Sequence, residues 1–356
     1  MNLQTILAHY PVDSDAVIKP FGSGLINTTW LINTNNGNYI LQKVNDAIFK
    51  NPLLIADNIS SISSYLQHIH PEYFFVSPVV SNEGQTVIYL NEGYFRLFPF
   101  IKNSHTINVV EQPGQAYEAA FQFGCFTKML RDFPATALKT TLPDFHNLLL
   151  RYQQFAAACQ HGNQERITAA KTEINLVEKY KFIVDTYISI TGSRDFKLRV
   201  THHDTKISNV LFDESGKGIC VIDLDTVMPG YFISDVGDMM RTYLSPVSEE
   251  EKDLSKIEVR DDFFRAILAG YFAALGTELT DHEKEQFVYS GLFMIYMQAV
   301  RFLTDHLEND RYYGATYPGQ NLVRTKNQLA LLEALLAKEE LYKKWVQESI
   351  GCPQLP

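Results

Sequence analysis

The stretch Thr201-His202-His203-Asp204-Thr205-Lys206-Ile207-Ser208-Asn209-Val210-Leu211-Phe212 decides how this chain is read. It places a carboxylate at 204, a carboxamide at 209 and, directly after them, an apolar run with the look of a strand. Nineteen residues after Asp204 a second apolar run, Val221-Ile222-Asp223-Leu224-Asp225, ends in carboxylates at 223 and 225. Between the runs lies Asp213-Glu214-Ser215-Gly216-Lys217-Gly218, which has strong turn chemistry. A hairpin of 210–212 with 219–222 follows, and it would bring Asn209 beside Asp223. Two such oxygen ligands suit a hard cation like Mg2+, which keeps several waters and takes its remaining ligands from phosphate.

His202, Asp204 and Asn209 fit the H-x-D-x-x-x-x-N loop of kinases, and Asp223 stands where the metal-binding aspartate of the D-F-G motif falls, with Leu-Asp in place of Phe-Gly. In that pattern Asp204 receives the proton of an attacking hydroxyl, while Asn209 and Asp223 hold the metal. His202 is expected to prop the loop through hydrogen bonds. Lys206, two residues after Asp204, offers a positive charge for the transferring phosphate. Asp235 in Asp235-Val236-Gly237-Asp238 is read as a helix cap, an acceptor for amides of the catalytic loop, or both.

Upstream, Phe21-Gly22-Ser23-Gly24-Leu25-Ile26-Asn27-Thr28 precedes a β-prone run. Glycines at 22 and 24 let backbone amides approach phosphate oxygens. Runs 28–32 and 39–42 flank Asn35-Asn36-Gly37-Asn38 and predict a hairpin; 86–90 and 94–98 predict a second. Ile55, Ile59, Ile62, Leu66 and Ile69 lie on one helix face that starts near Pro52. Either Gln42 or Lys43 stands on the strand that usually supplies a phosphate-binding lysine, and their side chains point to opposite faces. From about 104 onward the periodicity is helical, with helices expected over 114–131, 144–160, 164–189, 260–275, 281–307 and 322–346, interrupted by a β island over 197–225. A small strand-rich lobe, a helical lobe and this island imply an α+β, bilobal, protein-kinase-like fold, divided into 1–100 and 101–356.

Composition excludes other classes. The chain has 356 residues, too many for one comfortable core. Its net charge is −10 without basic clusters, which argues against nucleic acid or an anionic membrane as partner. No uninterrupted apolar window is long enough for a membrane helix, and the start lacks a cationic, then apolar, leader. Scattered Cys125, Cys159, Cys220 and Cys352 form no CxxC pair, so a reducing cytoplasm is the expected compartment. The oligomeric state stays open, with a monomer compatible.

Gln298, Arg301 and Asp305 share one face of an otherwise apolar helical run. A guanidinium there needs partners, so the stripe either forms an ion pair or lines a pocket.

The strings HHDTKISNVLF (202–212) and VIDLDTVMPG (221–230) resemble the aminoglycoside phosphotransferase/choline kinase superfamily. With GSGLINTTWLI, YILQKVN, FRLFPFI, DVGDMMR, EKDLSK, RFLTDHLENDRYY and YPGQNLVRT, the chain resembles more narrowly the N-acetylhexosamine 1-kinases, over nearly its whole length. The resemblance implies ATP as co-substrate and an N-acetylglucosamine or N-acetylgalactosamine acceptor. It implies Asp204 as base, Asn209 and Asp223 as Mg2+ ligands, and Gly22, Ser23, Gly24, Asn27 and Thr28 over the phosphates. Pro99, Phe100 and Ile101 would hold adenine, and Arg301 would touch the sugar. Leu25 stands where that group is expected to carry a sugar-binding histidine. A choline, ethanolamine, methylthioribose or aminoglycoside kinase, and an inactive nucleotide-binding protein, are the alternatives.

Overall fold

The computed structural model describes residues 2–13, 15–22 and 26–351. Ser23, Gly24 and Leu25, and with them three of the expectations above, lie outside the described residues, as does Cys352.

The strand-forming residues of the first hundred positions build one antiparallel sheet of β1 (Val17–Pro20), β2 (Thr28–Asn33), β3 (Asn38–Val44), β4 (Ile88–Leu90) and β5 (Gly93–Pro99), in the order β1-β2-β3-β5-β4. The expected turn closes β2 onto β3: the Thr34 hydroxyl accepts from the Gly37 amide at 3.1 Å, and the register runs from Thr28 opposite Lys43 to Asn33 opposite Asn38. Alternation then sorts the two faces. Trp30, Ile32, Leu41, Phe95 and Leu97 pack on the back with Ile6 and Leu7 of α1 (Leu3–Leu7) and with Tyr10. The opposite face carries Gln42 and Arg96 toward the rest of the molecule.

Helix α2 (Pro52–Ile69) turns its apolar face, Ile55, Ile59, Ile62 and Leu66, into the larger helical core. Asn58 fixes it there, donating to the carbonyls of Lys139 (2.8 Å) and Val227 (3.0 Å). That core is built from α3 (Pro113–Met129), α4 (Leu148–His161), α5 (Gln164–Ala169), α6 (Lys171–Lys179), α7 (Phe182–Gly192), α8 (Phe232–Tyr243), α9 (Asp261–Leu275), α10 (Asp281–Glu285), α11 (Phe287–Leu307), α12 (Gln320–Ala337) and α13 (Glu339–Gly351). Helix α11 runs through its middle, against α4, α8 and α12. By length and composition α11 could cross a bilayer, but 83% of its apolar window is buried inside the protein. Helix α8 presses close on α11 because Gly237 has no side chain: a Cβ there would collide with the Ser290 carbonyl.

The β island is two small sheets. Strand β6 (Ser104–His105) joins the hairpin β8 (Val210–Asp213)–β9 (Gly218–Val221), and β7 (Arg199–Thr201) pairs with β10 (Met228–Gly230). Several long helical expectations are broken in the fold. The run 164–189 is three helices, interrupted at Ala170 and Tyr180, and 281–307 breaks at Gln286, where the capping box of Thr280 and Glu283 has already begun a short helix. The run 322–346 breaks at Lys338. The helix expected over 144–160 starts later, at Leu148, after the Asn147 side chain accepts from the Leu150 amide at 3.1 Å.

Candidate active site

The loop between β7 and β8 is held from below by α8. One carboxylate, Asp235, accepts the amides of His202 (3.0 Å) and His203 (2.8 Å), and Asp238 accepts that of Thr205 (2.9 Å). Asp235 lies inside α8 rather than before it, so of its two expected roles it performs the second. The Thr205 hydroxyl donates to the Asp235 carbonyl at 2.8 Å, and the Tyr243 hydroxyl donates to the Thr205 carbonyl. His202 is fully buried. Its Nδ1 accepts the Asp204 amide at 3.4 Å, which leaves Nε2 as donor to the Ile222 carbonyl at 2.9 Å. The histidine thus spans the loop and the end of β9, a prop as its burial suggests. Burial pushes its pKa down, keeping it neutral.

With the loop fixed, Asp204 and Lys206 meet: Nζ lies 3.0 Å from Oδ1 and 3.2 Å from Oδ2. Burial alone would lower the lysine pKa, but Asp204 and Asp238 outweigh it and the pKa is raised, so the side chain stays charged. Asn209 Nδ2 donates to the Asp204 carbonyl at 2.9 Å, which fixes the amide so that its oxygen remains available. The Ile222 amide donates to the Asn209 carbonyl at 2.8 Å, putting the next residue, Asp223, beside it across the hairpin. Asp223 adopts a left-handed backbone (φ 59°). Its carboxylate opens to solvent in the cleft although protein surrounds it closely. That confinement, with the negative charges of Asp225 and Asp204, pushes its pKa up to about 7. Asp223 and Asn209 therefore offer oxygens in a place where added positive charge is stabilised, which fits a Mg2+ ion. No three His, Cys, Asp or Glu converge as a metal cage among the described residues, so the fit is to a cation that takes its other ligands from solvent and phosphate.

Asp225, two residues on, has a different assignment. It is buried against Arg96 of β5 in an ion pair, and Asn27 Nδ2 donates to its other oxygen at 2.8 Å. Arg96 Nε and Nη2 donate to Gln42 Oε1 at 3.0 and 2.8 Å. Asn27 Oδ1 accepts the Asn45 amide at 3.0 Å, so both ends of its side chain hold protein together at the base of the glycine loop. Gly22 has φ 75°, the left-handed region glycine favours, and Thr28 begins β2. Of the two candidate strand residues, Gln42 faces the cleft and Lys43 lies over Gly93 on the other side. Phe21 sits edge-on to Phe100, with ring centroids 6.1 Å apart, beside Pro99 and Ile101. The Phe100 amide is committed to the Asn38 carbonyl at 2.9 Å.

Next to the loop lies a row of rings. His203 meets His146 (5.2 Å), His146 stacks on Phe145 (4.5 Å), and the Arg301 guanidinium lies 5.7 Å from the Phe145 centroid. Burial, ahead of the charges of Arg301, Arg241 and Arg151, keeps His146 neutral. Tyr312 and Tyr313 stand over Arg301 at 5.7 and 5.4 Å. Arg301 makes hydrogen bonds of 3.3 Å to Gln298 Oε1 and the Tyr312 hydroxyl, and among the described residues no carboxylate pairs with it. Asp305, which the helix spacing had grouped with Arg301, instead accepts the amides of Tyr312 (2.7 Å) and Tyr313 (2.9 Å) and shapes their loop. Among the described residues the stripe therefore forms no Arg301–Asp305 ion pair. Sequence reasoning missed Arg96, Asp238, His146 and Arg151. For Arg96 the signal was present: a lone charge inside an apolar strand demands a buried partner.

Residues 17–283 match the family described as the phosphotransferase enzyme family (APH). Among solved structures the chain is similar to a microcompartment-associated aminopropanol kinase (14% identity, 96% of this chain and 98% of that one covered, TM-score 0.65). It is also similar to a spectinomycin phosphotransferase in complex with ADP and spectinomycin (16% identity, 95% and 98%, TM-score 0.58) and to choline kinase from Cryptosporidium parvum Iowa II (13% identity, 97% and 99%, TM-score 0.56). At these identities the likeness is one of fold: a sheet-bearing N-terminal part and a larger helical part, as the sequence implied.

Proposed function

We propose, from the premise that this chain belongs to the phosphotransferase enzyme family, that it transfers phosphate from ATP to the anomeric hydroxyl of an N-acetylhexosamine. On this reading residues 1–100 are the nucleotide lobe and 101–356 the catalytic and acceptor lobe of a cytoplasmic N-acetylhexosamine 1-kinase. Gly22 to Thr28 cover the phosphates; Pro99, Phe100 and Ile101 border adenine, with the Ile101 amide as donor since that of Phe100 is used by β3.

Asn209 and Asp223 are the residues that would hold Mg2+, which neutralises phosphate charge when bound. Lys206, kept charged beside Asp204, adds a second positive group at the transferring phosphate. Asp204 orients the acceptor hydroxyl and takes its proton. The hydroxyl oxygen bonds to the γ-phosphorus as the bond to the β–γ bridging oxygen breaks, leaving ADP and the hexosamine 1-phosphate. Little covalent chemistry falls to the protein, so its work is positioning and charge stabilisation.

The observation that carries the choice of acceptor is Arg301, which has no carboxylate partner among the described residues and whose aromatic neighbours are already gathered around it. Cationic acceptors such as choline or aminopropanol call for carboxylates or a free aromatic cage, and Arg301 opposes them. Hydroxyl and amide oxygens of an acylated sugar are suitable partners for its donors.

An ADP-release assay across N-acetylhexosamines, choline, ethanolamine, methylthioribose and aminoglycosides tests this, with phosphorus NMR to separate an anomeric phosphate from a primary-alcohol phosphate. Turnover confined to an amine acceptor would refute the sugar assignment.

A further inference from the structure

A second guanidinium, that of Arg151, lies beside the same 144–145 segment as Arg301. Arg151, on the first turn of α4, donates from Nη2 to the Asp144 carbonyl (2.9 Å) and from Nη1 to Gln154 (3.0 Å). Its Nε is buried and meets no acceptor. No carboxylate lies within ion-pair distance of Arg151 or Arg301 among the described residues, whereas Arg241 is paired with both Asp238 and Glu249 and Arg324 with Glu250. Burial, and then the charge of Arg301, lowers the Arg151 pKa against the opposite pull of Tyr312, Tyr313 and Asp144. Both border the same segment: Arg151 hydrogen-bonds the backbone of Asp144, and Arg301 lies by the ring of Phe145. The carboxylates near this segment are Asp144, whose Oδ1 accepts from Asn147 at 2.9 Å, and Asp305, which is occupied by the amides of Tyr312 and Tyr313.

Neither guanidinium has a carboxylate in ion-pair contact among the described residues, and a buried N–H without an acceptor is an unmet demand that an anionic group joining the two would satisfy. We propose that Arg151 and Arg301 form an oxyanion subsite, taking a carboxylate or phosphate group on the acceptor at the end away from the transferred hydroxyl, and that Arg151 sets this preference. The cleft is then polar in the literal sense, with carboxylates of 204 and 223 at the reacting end and guanidiniums at the other. The inference deepens the hexosamine reading and rests on it for the identity of the sugar.

The test uses the full chain and three N-acetylglucosamine analogues that differ only at the primary-alcohol carbon: the parent hydroxymethyl, a carboxylate and an aminomethyl. The carboxylate should match or exceed the parent in kcat/KM, and the ammonium analogue should fall about tenfold below it, a gap that narrows as salt is raised. Arg151→Gln should reduce the carboxylate-to-ammonium ratio of kcat/KM about tenfold. An ammonium analogue that equals the carboxylate, or a ratio unaltered in Arg151→Gln, overturns the subsite.

A second arm does not depend on the sugar. Inorganic sulfate is titrated into the protein saturated with Mg2+ and a non-hydrolysable ATP analogue, which fills the phosphate site. Saturable binding that weakens in Arg151→Gln is expected; no binding, or binding indifferent to Arg151, overturns the proposal. If no hexosamine is phosphorylated yet sulfate binding depends on Arg151, the sugar reading fails and the oxyanion subsite stands.

Discussion

Arg96 of β5 and Asp225, 129 residues apart in the chain, form a buried ion pair that joins the N-terminal sheet to the segment carrying Asp223. Each side chain is only 2% exposed; Gln42 Oε1 accepts from Arg96 Nε and Nη2, and Asn27 Nδ2 donates to the other Asp225 oxygen. The pair thus ties the sheet to the segment that carries Asp223. Removing one partner strands the other charge in a dry site, at a cost of about 3–5 kcal/mol. Arg96→Met should lower unfolding stability by that amount, measured by denaturant titration. The double variant Arg96→Met/Asp225→Asn should recover a large part of the loss, because no unpaired charge remains. A double variant no more stable than the single would show that the pair is not the cause.

Asp204→Asn keeps the shape of the side chain but cannot accept the acceptor's proton. The expected result is a loss of about 10²–10⁴-fold in kcat. Affinity for the ADP–Mg2+ pair, measured by calorimetry, should hold, since Asn209 and Asp223 are untouched. Full turnover in this variant removes Asp204 from the base role.

How much of this was legible before folding differs from residue to residue. His202, Asp204, Asn209 and Asp223 could be read because their relation is local: a loop, a hairpin and a short strand end. The two faces of β3 could be enumerated from alternation, but which one met the cleft depended on β5, whose Arg96 pairs with a residue far along the chain. The breaks at Ala170, Tyr180, Gln286 and Lys338 carry no glycine or proline, so periodicity ran through them. Arg301 was found from its setting in an apolar helix, but Arg151, on a helix with ordinary polar spacing, gave no such contrast.

Asp235 supports the catalytic loop through two amides that one carboxylate alone can accept. In Asp235→Asn the side chain keeps one acceptor oxygen and turns an NH2 toward the other amide, donor against donor. A loss of about 1–3 kcal/mol in stability is expected. Displacement of His202 and Asp204 should also reduce kcat, with little change in nucleotide affinity. Thermal unfolding and steady-state kinetics on the same preparation check both effects. An unchanged kcat with lowered stability would confine Asp235 to a purely structural role.

The pKa of Asp223, pushed up to about 7 by its confined surroundings and by Asp225 and Asp204, gives cation binding a pH dependence with a definite sign. Below that pH the folded, metal-free protein holds a proton on Asp223 that must leave before the carboxylate can bind a cation. Apparent Mg2+-nucleotide affinity should therefore fall about tenfold per unit of pH below 7 and level off above it. The same shift acts on folding in the opposite direction. The unfolded chain loses this proton near its ordinary value of 3.8 and the folded chain only near 7, so between those values the folded state binds more protons. Asp223 therefore makes the metal-free protein less stable as pH rises through that window and has no further effect above it. Asp223→Asn should remove both dependences: calorimetry with ADP and Mg2+ at pH 6, 7 and 8 should show weak binding with a flat profile, and the metal-free variant should gain stability relative to the parent at pH 8 but not at pH 4. A parent protein whose cation affinity is the same at pH 6 and 8 would mean that Asp223 is already ionised, and the crowding of three carboxylates would have to be relieved by Arg96 and Lys206 instead.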